Sequence, residues 1–211
     1  MEMEPPIRWI YLLYLTTGNN VRIINTCMIL AGIDYSLNGP AICVYDTKRE
    51  LKFANCNCYF LTDVKKYGQT FLKNVHGELF EPYSQDSERY DSISEWVMRI
   101  CIGCDQVGLE GYAYNATGRV FNIAENTGVL KYKLYQQSIP VEIIEPSKSK
   151  KLATGKGNAD KETMVKAFHE ETGIDLHQEI TPNKTHVGSP VTDIVDAYYL
   201  CKALYKTIFP V

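Results

Sequence analysis

"AGIDYSLNGPAICVYD", Ala31 to Asp46, reads as two short strands joined by a turn, with one residue out of place. Ala31, Ile33 and the run Ala41–Tyr45 have the apolar content of strands buried in a sheet, and "LNGP" between them carries turn chemistry. Asp34 stands where a central strand calls for an apolar or small side chain. A carboxylate there costs stability unless it is paired or holds a metal.

Working outward, three strand-like runs, Ile29–Ser36, Ala41–Tyr45 and Leu51–Leu61, suggest an antiparallel meander. Residues 62–87 show no clear period and read as a long loop or insertion. Helical spacing follows at Ile93, Trp96, Val97 and Ile100, then a strand in "QVGLEG" and a helix with Val120, Ile123, Ala124, Thr127, Leu130 and Leu134 on one face. A fifth strand, "VEIIE", leads into a lysine-rich turn, "PSKSKKLATGKGNADK", and a helix over Lys161–Thr172. A final helix covers "PVTDIVDAYYLCKAL", with Ser189 and Pro190 as N-cap and first-turn residues. Strands alternating with helices predict an α/β fold, a mixed five-stranded sheet with helices on both faces.

The 211 residues suffice for one substantial core, expected over residues 28–211. Residues 1–27 read as an N-terminal extension. Its apolar run, Trp9–Leu15, is too short to span a bilayer, and the residues before it are acidic on balance, Glu2 and Glu4 against Arg8, unlike a signal peptide. A net charge of −3 excludes a generally basic surface, so any nucleic-acid contact must come from a local patch. Seven cysteines without disulfide-like spacing point to reduced thiols and a cytoplasmic setting. Cys56-x-Cys58 joining Cys101-x-x-Cys104 as a zinc site is an alternative to buried free thiols. The four histidines, His76, His169, His177 and His186, show no ligand spacing.

Asp34 has company. Glu110 ends the apolar strand "VGLE", and Asp193 and Asp196 lie three residues apart on one side of the last helix, where like charges repel. Each alone reads as structural. Together they supply hard oxygen ligands from separate elements, the requirement of a site for two Mg²⁺ or Mn²⁺ ions. Two cations would cancel the repulsion between Asp193 and Asp196. Lys148, Lys150, Lys151, Lys156 and Lys161 cluster around Gly155 and Gly157, with Asn158 placed to cap the next helix. Ammonium groups and approachable backbone N–H groups suit a phosphate.

Four segments in this order, "GIDYSLNGPA", "LEGYAYNATGRVFNIAENTGVL", "SKKLATGKGNADKETM" and "TDIVDAYYL", resemble the RuvC-type Holliday junction resolvases of the RNase H-like nuclease superfamily. The resemblance runs from about Met28 to Leu204. It implies a crossover junction endodeoxyribonuclease with Asp34, Glu110, Asp193 and Asp196 as metal ligands. Lys150 and Lys161 match active-site or DNA-contacting lysines, and Lys161 is counted with the catalytic set. The family carries a base-contacting aromatic three residues after the strand glutamate, where this chain has Ala113 between Tyr112 and Tyr114. Both tyrosines are therefore expected at the DNA.

A four-way junction has approximate two-fold symmetry, so paired nicks call for a homodimer. The resemblance places its contact on the helix Thr117–Leu134, with Tyr132 and Tyr135 adding aromatic surface. Three rivals stand beside this reading. A flap or branched-DNA nuclease would share the fold, and a junction-binding scaffold would lack the chemistry. An actin-like ATPase or sugar kinase would need a second "GID" lobe, and none is found.

Overall fold

The first strand, β1 (Ile29–Asp34), pairs antiparallel with β2 (Ala41–Asp46), which pairs antiparallel with β3 (Cys56–Thr62). The computed structural model describes residues 27–111 and 120–210. The expected meander is therefore present, but β3 begins later than the apolar run, because Phe53–Asn55 forms a short 3-10 turn before it. On its other side β1 pairs parallel with β6 (Gln106–Glu110), and β6 pairs parallel with β7 (Val141–Ile144).

These five strands form the expected mixed sheet, but the sheet has seven. Residues 62–87, read as a loop or insertion, contain β4 (Thr70–Phe71) and β5 (Val75–Leu79). β5 adds parallel to β3, and the spatial order is β4-β5-β3-β2-β1-β6-β7. β5, "VHGEL", is short, and Gly77 and Glu78 interrupt its apolar pattern. Its strand character comes from the β3 edge it pairs with, which a sequence window does not contain.

Alternation along β1 divides the core. Leu30 faces one cluster, completed by α4 (Lys161–Thr172) and α6 (Val191–Ile208), whereas Ala31 and Ile33 face another under α1 (Asp86–Cys101) and α2 (Val120–Gln136). Helices thus cover both faces. Cys43, Cys56, Cys58 and Cys201 belong to the first cluster, and Cys101 and Cys104 to the second. The sheet separates the two cysteine pairs that a shared zinc site would need, so that alternative is corrected. They are buried small apolar residues.

Three local readings also change. The lysine-rich turn is largely a helix, α3 (Pro146–Thr154), started by proline at its first position. Asp160 caps α4, accepting from the Thr163 N–H at 2.8 Å, where Asn158 was expected. Pro190 itself is the N-cap of α6, with no side-chain cap from Ser189. The short α5 (Leu176–Ile180) lies between α4 and α6. Among the described residues no helix is long and apolar enough to cross a membrane. The expected extension, residues 1–27, lies outside the described residues except for Cys27.

Candidate active site

Two glycines set where α6 lies. Gly32 of β1 and Gly108 of β6 are register partners on adjacent parallel strands. A Cβ on Gly32 would overlap the Cys201 backbone and come within 2.5 Å of the Ala197 carbonyl oxygen, and one on Gly108 would stand 3.2 Å from Leu204 Cβ. At Gly32 the helix backbone therefore rests on a seat that only glycine leaves open, and at Gly108 the close neighbours are side-chain carbons.

Two residues beyond each glycine, on the same face, stand Asp34 and Glu110. Two strand residues advance roughly 6.6 Å, about the 6 Å of four helix residues. The step from Gly32 to Asp34 thus matches the step back along α6 from Ala197 to Asp193. The acids of β1, β6 and α6 meet at one end of the sheet because helix and strands run in opposite senses over this seat. The signal was present in the sequence as a repeated Gly-x-acid, "GID" and "GLE", but only strand pairing shows that the two copies are neighbours.

The electrostatics agree with this convergence. Burial, then Glu110, Asp193 and Asp196, push the Asp34 carboxyl well above its usual range. Burial and Asp196 raise Glu110 to about 7, and burial raises Asp196 to about 6 against the pull of Lys161 and Lys150. Asp193 is only 6% exposed, and its Oδ2 is buried with no hydrogen-bond partner. Its Oδ1 accepts from Thr192 Oγ1 at 3.1 Å and lies 3.5 Å from Lys161 Nζ. Burial alone would lower the Lys161 pKa, yet Asp193, Asp196 and Asp34 together hold it above its ordinary value.

A cluster of four carboxylates facing two ammonium groups is short of positive charge. The donor set is hard oxygen throughout, and the orphaned Asp193 Oδ2 offers a free lone pair, so the site fits a divalent cation of the Mg²⁺ or Mn²⁺ type. Among the described residues no three His, Cys, Asp or Glu side chains are pre-set in ion-binding geometry.

The lysines divide. Lys150 and Lys161 are the lysines that act on the acids. Lys148 reaches instead to Thr207 Oγ1 at 2.9 Å, and Lys151 and Lys156 are exposed. Tyr112 and Tyr114 lie outside the described residues, as do Thr117–Arg119 at the start of the expected dimer helix. The rest of that helix is α2, where Phe121, Ala124, Gly128, Tyr132 and Tyr135 are exposed at steps of three and four. Phe121, Tyr132 and Tyr135 are 83%, 61% and 78% exposed.

Sequence reasoning missed the loop between β1 and β2. Arg89 of α1 donates from Nη2 to the Leu37 carbonyl at 2.7 Å and to Asn38 Oδ1 at 2.8 Å. A Cβ on the next residue, Gly39, would lie 2.6 Å from Asp193 Oδ2 and 2.8 Å from Ser189 Oγ. Nothing in the sequence marks a tie that spans about fifty residues.

The sheet order, the helices on both faces and the acids at one sheet end define an α/β fold of the RNase H-like type. Within that class the fold is RuvC-like. Thermus thermophilus RuvC is similar, at 18% identity over 86% of this chain and 96% of that one, with a TM-score of 0.54. The same enzyme in complex with a Holliday junction substrate is similar at 17% identity over 85% and 96%, with a TM-score of 0.57. At these identities the likeness is one of fold. No family model and no curated protein matches the sequence.

Proposed function

We propose that this chain is a metal-dependent, structure-selective DNA endonuclease that resolves four-way junctions by paired nicks. The observation that carries the reading is the convergence of Asp34, Glu110, Asp193 and Asp196 beside Lys150 and Lys161. It is supported by a fold shared with an enzyme solved on a Holliday junction.

Asp34 neighbours all three other acids, and Asp34, Glu110, Asp193 and Asp196 together would hold the cations. Two such cations, when bound, supply an activated water for in-line attack and stabilise the leaving 3′ oxygen. The protein's own part is to place the phosphodiester. Lys161, 63% exposed at its side chain, and Lys150 present ammonium groups to the phosphate and offset charge that develops on it. The exposed Lys151 and Lys156 extend a basic path away from the acids, and Tyr112 and Tyr114 are the proposed base-side contacts.

The dimer belongs to the same proposal. The stripe Phe121, Ala124, Gly128, Tyr132 and Tyr135 has small residues at its centre and aromatic residues at both ends, a surface on which a second α2 could lie closely. A Cβ on Gly128 would meet nothing within 4 Å among the described residues. Cleavage of junction, flap, fork and RNA–DNA hybrid substrates side by side, with Mg²⁺ and with Mn²⁺, tests the reading. Preference for flaps would move the chain to a branched-DNA nuclease of the same fold, and binding without cleavage would leave a scaffold.

A further inference from the structure

We infer that Arg89 of α1 is a positioning residue that sets the metal site through the loop 35–40. The inference rests on the proposed reading of the four acids as cation ligands. The loop is tied to that site at both ends. It begins one residue after Asp34, and at Gly39 its backbone stands against the Asp193 carboxylate and the Ser189 hydroxyl, with no room for a Cβ. Between these points its conformation is fixed by few contacts. The Gly39 N–H donates to Ser36 Oγ at 3.0 Å, Tyr35 OH donates to Asn126 Oδ1 at 3.0 Å, and Arg89 bridges Leu37 and Asn38.

Besides the Gly39–Ser36 hydrogen bond and the buried Leu37 side chain, the guanidinium holds the loop's outer turn, and it does so from α1, a helix packed on the opposite face of the sheet from α6. Both hydrogen bonds leave the one Nη2 nitrogen, whose direction is set by the planar guanidinium, whereas an ammonium on a flexible stem is less pre-organised for the same two acceptors. Tyr83 lies over it, with the guanidinium carbon 4.9 Å from the ring centroid. Arg89 Nε is buried without a hydrogen-bond partner, a cost that an apolar side chain of similar length would avoid. A residue that holds the loop packed on a ligand carboxylate acts as an outer support, and losing such a support typically weakens metal binding roughly 10–100-fold.

The test compares full-length wild type, Arg89→Met and Arg89→Lys by calorimetric titration with Mn²⁺ alone, by thermal midpoint, and by kcat and KM on a synthetic junction. The expected result is Mn²⁺ affinity lowered about tenfold or more in Arg89→Met, a smaller loss in Arg89→Lys, and kcat lowered with KM little changed. The thermal midpoint should stay near that of wild type. Should Arg89→Met not fold, Arg89→Lys carries the comparison. Wild-type Mn²⁺ affinity in the folded variants, or losses that merely follow a falling midpoint, would overturn the inference while leaving the nuclease reading intact. Wild type that binds Mn²⁺ but cuts no junction would overturn the reading and not the positioning role. Wild type that binds no Mn²⁺ would overturn both.

Discussion

Replacing Asp34, Glu110, Asp193 or Asp196 by its amide removes a charge and leaves the volume unchanged. Each of the four variants is expected to lose cleavage by more than the roughly 10–100-fold typical of an outer support, while retaining junction binding. A variant that cuts at the wild-type rate would remove its acid from the site. The same carboxylates make a second prediction in the metal-free protein. Glu110 and Asp196 have folded-state pKa values raised to about 7 and about 6, so the unfolded chain releases these protons at lower pH than the folded one. The stability they contribute is present below the ordinary carboxylate range and lost as pH rises through about 6 to 7. In EDTA the thermal midpoint should fall between pH 5 and pH 8, Mg²⁺ should restore it at pH 8, and Glu110→Gln should flatten the fall. A midpoint indifferent to Mg²⁺ at pH 8 would count against a cation site. At this scale the sequence was informative, because a carboxylate in a buried strand is an anomaly that needs no structure to see. Asp193 Oδ2 beside Gly39 was not legible, since that approach joins a loop and a helix about 150 residues apart.

At the scale of elements, α6 and its glycine seat carry the geometry. Gly32→Ala would drive a methyl into the helix backbone, and overpacking of this kind costs about 1–3 kcal/mol. Gly108→Ala meets side-chain carbons of Leu204 and Ile144 and should cost less. Chemical denaturation measures both, and equal tolerance of the two would contradict the seat. The helix boundaries show why some elements were read from sequence and others were not. α4 was expected over Lys161–Thr172 and spans those residues, because its apolar positions and the following Gly173 are local signals. The lysine-rich stretch was read as a turn because its charges masked a nine-residue helix whose one buried residue is Ser149. β5 was missed for the opposite reason, its partner being supplied by the fold.

For the whole molecule the proposal joins two surfaces, a basic path at the acids and an aromatic stripe on α2. Lys150→Ala and Lys161→Ala should lower cleavage and weaken junction binding, each reducing the salt slope of binding by about one. An unchanged slope would take them out of the DNA path. Deleting residues 1–27 should leave a folded, active protein, since among the described residues the core begins where the Met28 N–H donates to Thr47 Oγ1 at 2.7 Å. Gly128→Arg, at a position with open space around it, should leave the fold intact and break the dimer, which sedimentation would read directly.

Paired cleavage tests the central claim most directly. A synthetic four-way junction held in a supercoiled cruciform reports whether both opposing strands are cut within one encounter, by the ratio of linear to nicked product. With Mg²⁺ or Mn²⁺ the wild-type protein should yield chiefly linear product from symmetric nicks bearing 5′-phosphate and 3′-hydroxyl ends, and Gly128→Arg should yield nicked circles. No cleavage of the cruciform, or single nicks from the wild-type protein alongside faster cutting of flaps, would contradict the account.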